Sequence, residues 1–483
     1  MITRHSILFT AILMAYLLAG VLYATITPRW QAPDEPAHYN YVRYLATQRR
    51  FPELVAGCYN QAYLAQLTAE RFPPNLPIDS VCYEYHQPPL YYLLVTPLFI
   101  LTGGSLLALR LASVALGAGV VALAFAVARA VFPRQPDIAL GTMAFVAFVP
   151  MHAAMLAAVN NDALAELLLA AMLLLLVRRI TAAAPPARRD NLLLGVTLGL
   201  GLITKTTIYI AVPLVAVALL LPALTQKATG RQALTQAAII FGLALLIALP
   251  WYGRNAAVYG GFDILGLGRH NAVVVGQLRT TDFLAGVGAT AYAGNFLFTT
   301  FHSFWGQFGW MAVPMDARTY RLLAALLAVA GFGLAASAAQ RRWAQLEAGQ
   351  PQALGLLALA AGLVALAYGG YNLGFVQFQG RYLFPALIPL GLFFALGWRE
   401  ALRPHRTWWL VAGLAVALGG VVAADGLDKW GGLMVLLFMA AAAARNIIPR
   451  AEPYLTPALL AAGYLALAAL ALVSPYWFIA PYL

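Results

Sequence analysis

Charge is what this chain lacks most. Only 10% of its 483 residues are Asp, Glu, Lys or Arg, while 62% are hydrophobic. So little charge cannot cover a soluble surface. That excludes an ordinary globular enzyme and makes length a poor guide to domain number. Cysteine is nearly absent too: Cys58 and Cys82 are the whole complement, and no paired-cysteine or zinc-ligand spacing occurs. No phosphate-cradling Walker loop occurs either. The basic excess, 30 Lys and Arg against 18 Asp and Glu for a net +12, does not point to nucleic acid. The basic clusters lie between apolar runs, where they set topology in a bilayer.

What the chain has in quantity is apolar runs. The first, 7–26, is about twenty residues, which suits a membrane span better than a signal-peptide core of roughly 7–15. It follows Arg4 and His5, so it reads as an uncleaved anchor with a cytoplasmic N-terminus. Clusters at Arg129/Arg134, Arg178/Arg179, Arg188/Arg189, Lys227/Arg231, Arg341/Arg342 and Arg399/Arg403/Arg406 mark cytoplasmic ends. Threading the runs between them predicts an all-α polytopic protein of the plasma membrane, one integral membrane unit over 1–483. It has about thirteen transmembrane helices and an outer C-terminus. Two long outer loops, 27–110 and 251–319, each hold an apolar stretch, 90–101 and 283–301. The first is expected to be an interfacial or re-entrant helix with both ends outside, the second an interfacial helix. The first is about twelve residues, too short for a ~30 Å core, and making either a span would put the later arginine clusters outside. Gly195 and Gly199 suit close helix packing.

Inner loops are short, so chemistry must be built on the outer face. The spans read as nearly free of internal charge, and the ionisable residues gather outside: Asp34, Glu35, Glu84, His86, Asp162, Lys205, Arg254 and Arg381. Such groups near membrane depth are costly, and usually paired or functional. Asp34 and Glu35 stand between Pro33 and Pro36, which should hold them on a short extended turn. They could serve as a general base or a cation ligand, or simply cap a helix beginning around Ala37. His38 is either their assistant or a solvated surface histidine. Lys205, in Leu202-Ile203-Thr204-Lys205, is either a functional cation or a snorkelling side chain. Asp162 is either a site residue or the cap of a helix beginning at Ala163. Cys58 and Cys82 share the first outer loop, where an oxidising exterior allows a disulfide.

Together these motifs resemble the GT-C fold glycosyltransferases, which take sugars from polyprenyl-phosphate carriers. Pro33-Asp34-Glu35-Pro36-Ala37-His38 looks like that superfamily's acidic first-loop motif. His86-Gln87-Pro88-Pro89-Leu90-Tyr91-Tyr92 is similar to its His/Lys-Pro-Pro-Leu-Tyr-Tyr element, with Gln87 as an inserted residue. The turn ending in Lys205 resembles its Leu-x-Lys segment. Within the superfamily the chain is most similar to the DUF2142 family of bacterial membrane proteins. It shares that family's Phe304-Trp305-Gly306-Gln307-Phe308-Gly309-Trp310 and Gln379-Gly380-Arg381-Tyr382-Leu383-x-Pro385 segments, in order. The likeness runs over nearly the whole chain.

The resemblance implies an inverting transferase for cell-envelope chemistry. Its partners would be a polyprenyl-phosphate-linked sugar, membrane lipids, and a glycan, lipid or protein acceptor, with no nucleic acid. Asp34, helped by Glu35, would take the proton from the acceptor hydroxyl. Lys205, Arg254 and Arg381 would hold the donor phosphate. His38, Glu84, His86 and Asp162 would support the site, and a divalent metal held by Glu35 and Asp162 is the other source of positive charge. Two further readings stand beside it. One is a non-enzymatic transporter or flippase of lipid-linked glycans, which would need a polar path across the core. The other is an assembly subunit that has kept the fold without the activity.

Overall fold

In lipid every backbone amide must find its partner within the segment, so long apolar runs become helices. In the computed structural model, residues 3–224, 229–340, 345–425 and 429–483 are described. Lys227, Arg341 and Arg342, read above as cytoplasmic markers, lie outside them. The chain begins with α1 (Arg4–Ile26), α2 (Glu35–Gln48), α3 (Gln61–Ala69), α4 (Leu90–Leu101) and α5 (Leu106–Val131). There follow α6 (Pro136–Phe148), α7 (Pro150–Leu156), α8 (Asp162–Thr181), α9 (Arg188–Leu202), α10 (Ala211–Leu224) and α11 (Gly230–Tyr259). The second half holds α12 (Leu267–Val273), α13 (Thr280–Val287), α14 (Ala289–Trp305), α15 (Ala317–Ala339), α16 (Gln350–Gly374) and α17 (Leu387–Ala401). It closes with α18 (Thr407–Asp425), α19 (Lys429–Ile447) and α20 (Glu452–Ser474). Two short strands, β1 (Gln307–Phe308) and β2 (Val313–Pro314), pair antiparallel after α14.

The fold is thus all-α and polytopic. Among the described residues, seven helices are long and apolar enough to cross a bilayer, or eight if α6 and α7, bent by 67° at their break, count as one. The expected thirteen included shorter or more charged helices: α8 carries Asp162, Glu166, Arg178 and Arg179, and α9 has 15 residues. The stretch 283–301 is not one helix. It divides at Gly288 into α13 and α14.

Small residues bring the helices close. A Cβ at Gly195 would lie 2.9 Å from the Ile240 carbonyl oxygen, and one at Gly199 would lie 2.9 Å from the Ile247 side chain. Both contacts press α9 against α11 and so fix where the turn carrying Lys205 emerges. That turn is also held by the Leu90 N–H, which donates to the Ile203 carbonyl at 3.0 Å.

Candidate active site

The Pro33-Asp34-Glu35-Pro36 segment separates two neighbouring carboxylates. It is not extended as expected: Asp34 has φ 66°, in the left-handed region. Aspartate tolerates that region better than most residues, though at some cost in strain. Asp34 stands at the N-cap position of α2, yet its side chain caps nothing. It faces outward and remains 25% exposed, while Glu35 turns inward and is 0% exposed.

Glu35 is a structural anchor. Arg110 of α5 grips it bidentately, with Nε donating to Oε1 at 2.7 Å and a terminal nitrogen donating to Oε2 at 2.6 Å. The Val159 and Trp30 amides donate to the same two oxygens at 3.2 and 3.3 Å. Four donors use all the acceptor sites of a carboxylate. Arg110 spends its remaining donors on the Ala24, Thr27 and Pro28 carbonyls. Glu35 is therefore corrected from the catalytic group to a clasp that ties the end of α1, the start of α5 and the 157–161 loop together. With no lone pair left over, Glu35 does not ligate a metal with Asp162 either.

Asp34 meets partners from distant segments. Arg381 donates to its Oδ2 at 2.7 Å, and the Tyr83 hydroxyl donates to its Oδ1 at 2.7 Å. Arg381 is aimed by Gln379, whose Oε1 accepts from its Nε at 2.7 Å. Its turn, Gly380–Ala386, presses directly on α14. A Cβ at Gly380 would collide with the Thr300 carbonyl and the Phe304 amide, and the Gly380 N–H donates to Ser303 Oγ at 2.7 Å. This is why glycine precedes Arg381.

The second ion pair, Lys205 with Asp162 at 2.7 Å, lies nearby. Helix α8 begins at Asp162 itself, with Asn161 at the N-cap position, and Asn160 Oδ1 accepts from the Asp162 amide. Asp162 is thus neither the residue before the helix nor its cap, and its side chain is free for Lys205. Asn161 donates to the Thr204 carbonyl and to Gln87 Oε1, which gives the inserted Gln87 a structural task.

His38 sits among these groups, and it is 3% exposed rather than solvated. Its Nδ1 pairs with the Tyr92 hydroxyl at 2.8 Å, and Tyr92 stacks on Tyr41. Burial holds the His38 pKa below its ordinary value, with Lys205 adding to the effect against Glu84, Asp34 and Asp162. It is therefore neutral at pH 7. Glu84 belongs to the same cluster, and its Oε2 is buried without a hydrogen-bond partner among the described residues.

Other expected site residues go elsewhere. Arg254 donates to the Pro52 carbonyl and lies over the Trp251 and Tyr259 rings at 5.0 and 5.6 Å. Its charge is committed to holding the segment around Pro52 against α11. His86 donates from Nδ1 to the Tyr83 carbonyl at 3.0 Å, and burial together with the facing His270 ring pushes its pKa down to about 3. Cys58 and Cys82 form a disulfide. Among the described residues, no group of three or more His, Cys, Asp and Glu side chains is gathered as a cation would need.

Sequence reasoning missed Tyr83 and Gln379, which orient the ion pair. It also missed Arg110, His152 and Glu166, which lie within apolar helices. His152 Nε2 and Glu166 Oε2 are 2.7 Å apart. The spans are not free of internal ionisable groups: Arg110 is paired with Glu35 and His152 with Glu166, which is how a membrane helix can keep them.

Burial raises the Asp34 pKa, but Arg381 and the Tyr83 hydroxyl outweigh it and hold the group at about 2, against an ordinary 3.8. A carboxyl depressed by folding contributes stability that is complete above its unfolded pKa and lost as pH falls through its folded one. Wild-type protein in detergent should thus lose thermal stability between pH about 4 and 2 more steeply than Asp34→Asn does. Parallel acid limbs for the two proteins would refute the Asp34–Arg381 pairing.

With this geometry in place, the chain can be compared with known proteins. A family model described as dolichyl-phosphate-mannose-protein mannosyltransferase matches residues 86–252, less than half of the chain. No curated protein sequence matches the chain. ArnT from Cupriavidus metallidurans bound to undecaprenyl phosphate superposes with a TM-score of 0.52 at 14% identity, over 97% of this chain and 77% of that one. The apo state of the same enzyme gives 0.53 at 14% identity, over 97% and 76%. An Archaeoglobus fulgidus oligosaccharyltransferase tethered with an acceptor peptide gives 0.49 at 17% identity, over 94% of this chain and 55% of that one. The chain therefore has the fold of the GT-C membrane glycosyltransferases.

Proposed function

We propose that the chain is an inverting GT-C glycosyltransferase that moves a sugar from a polyprenyl-phosphate donor to an acceptor hydroxyl at the outer membrane face. The observation that carries this reading is the meeting of two carboxylate–cation pairs, Asp34–Arg381 and Asp162–Lys205, around the neutral His38. The threading that accompanies it has about thirteen spans, an inner N-terminus, an outer C-terminus, and the loops 27–110 and 251–319 outside. Within the superfamily, the ordered motifs favour the DUF2142 family.

The resting pairs explain how such a site would be switched on. Asp34 at about pKa 2 is a weak base. A donor phosphate competes for Arg381 and Lys205, because guanidinium and ammonium groups bind phosphate as readily as carboxylate. Once Arg381 turns to the phosphate, Asp34 keeps only the Tyr83 hydroxyl and its basicity rises. The acceptor oxygen then attacks the anomeric carbon and its proton passes to Asp34. The carbon–oxygen bond to phosphate breaks, and polyprenyl phosphate leaves with the bonding pair. Lys205 and Arg381 stabilise the charge on that leaving group. A single displacement inverts the anomeric centre.

The test is a release assay. Purified protein in detergent is given a panel of labelled polyprenyl-phosphate sugars and a membrane extract as acceptor. Free polyprenyl phosphate and a newly glycosylated product should appear together with at least one sugar. Lipid binding without release for every sugar would overturn the enzymatic reading and favour a transporter or an inactive subunit.

A further inference from the structure

The break between α6 and α7 carries a device that no part of the reaction above uses. Pro150 has no N–H, so the Val146 carbonyl four residues earlier loses its helical donor. His152 replaces it: Nδ1 donates to that carbonyl at 2.8 Å. With Nδ1 protonated, a neutral ring would turn a bare lone pair at Nε2 toward Glu166 Oε2, only 2.7 Å away. A proton must lie between them, and both side chains are buried, at 0% and 8% exposure. The pair is therefore a proton-bridged link inside an apolar helix bundle.

Its location ties it to both halves of the candidate site. Glu166 lies one helical turn after Asp162 on α8, so it shares a face with the residue that holds Lys205. On its other side the His152 ring meets the Phe384 ring edge-on at 5.1 Å. Phe384 lies three residues after Arg381 in the turn Gly380–Ala386, a single turn of such a helix. Glu166 and Phe384 line one narrow cleft with Leu169, Leu173, Pro385 and Ile388. His152 touches both Glu166 and Phe384.

We infer that His152 and Glu166 form a positioning bridge that sets the spacing between the Lys205–Asp162 arm and the Arg381–Asp34 arm. The two arms come from segments far apart in the chain, and each must present its cation to the same phosphate. A shift of about 1 Å in such a pair is enough to cost a hundredfold in reaction rate. The phosphate part of this inference rests on the proposed donor; the bridging part does not.

Amide hydrogen exchange and lipid binding test the two parts separately, with undecaprenyl phosphate in detergent micelles as the probe. In Glu166→Ala the amides of 157–162 and of 380–384 should exchange at least tenfold faster, and the probe Kd should weaken at least tenfold. Glu166→Gln, which keeps a hydrogen bond to the imidazole, should restore both. His152→Asn keeps a donor near the Val146 carbonyl but cannot reach Glu166. It should repeat the Glu166→Ala result with a melting temperature within a few degrees of wild type, and it decides the matter if Glu166→Ala does not fold. Unchanged exchange in either arm of these variants overturns the bridge. Faster exchange in both arms, with a wild-type protein that does not bind the probe, upholds the bridge and overturns the donor.

Discussion

Replacing Asp34 by Asn is expected to reduce sugar transfer by about 10²–10⁴-fold, the usual contribution of a positioned general base. That is roughly 3–5 kcal/mol of barrier at about 1.4 kcal/mol per factor of ten. The substitution is nearly isosteric, and the new amide oxygen can still accept from Tyr83. Its nitrogen, however, faces Arg381 donor to donor, so the guanidinium loses its carboxylate partner. Donor phosphate then meets no competitor for Arg381. Turnover should fall while donor affinity stays the same or rises, and the melting temperature near neutral pH should drop by what the Asp34–Arg381 pair contributes there, the gap to wild type closing as pH falls from about 4 to 2. Transfer within tenfold of wild type would remove Asp34 from the proton-transfer step. A large loss of donor binding would instead make Asp34 a binding group.

The neighbouring residue should behave in the opposite way. Glu35→Gln leaves the Arg110 charge buried with half its partner gone, and breaking a buried ion pair costs about 3–5 kcal/mol. Marginal stability is itself about 5–15 kcal/mol, so a large fall in melting temperature and in yield is expected. Replacing both residues by methionine should recover only part of the loss. Arg110 also serves the Ala24, Thr27 and Pro28 carbonyls, and Glu35 serves the Trp30 and Val159 amides. Each buried group left without a partner costs about 1–3 kcal/mol. A Glu35→Gln protein as stable as wild type but inactive would return Glu35 to the chemistry and contradict the anchor.

These opposite outcomes for adjacent acids show where sequence reasoning stopped. Pro33-Asp34-Glu35-Pro36 marks a constrained acidic turn, but side chains one residue apart point in different directions. Which one meets Arg110 and which meets Arg381 depends on a left-handed φ at Asp34 that no pattern announces. Lys205 and Arg381 were recognisable because the threading expected from the sequence sets them on the outer side, Lys205 against the topological bias. Arg254 carried the same signal and is committed to Pro52, Trp251 and Tyr259. Position along the chain does not reveal what a long cationic side chain reaches. His152 and Glu166 gave no periodic signal at all. A lone polar residue in an apolar run looks the same whether paired or not.

Composition and apolar runs by themselves determined a helical membrane protein, because a bilayer offers the backbone no other partner. The order of motifs pointed to the right fold, and Pro33-Asp34-Glu35-Pro36 marked a segment on which to look. Tertiary structure alone decided which residues converge. Asp34, Tyr83, Asp162, Lys205 and Arg381 belong to five separate segments, and only the packing of α8, α9 and α14 with the turn Gly380–Ala386 brings them together. It also decided how the charges pair. A buried charge is stable only beside its partner, and partners are chosen by distance in space.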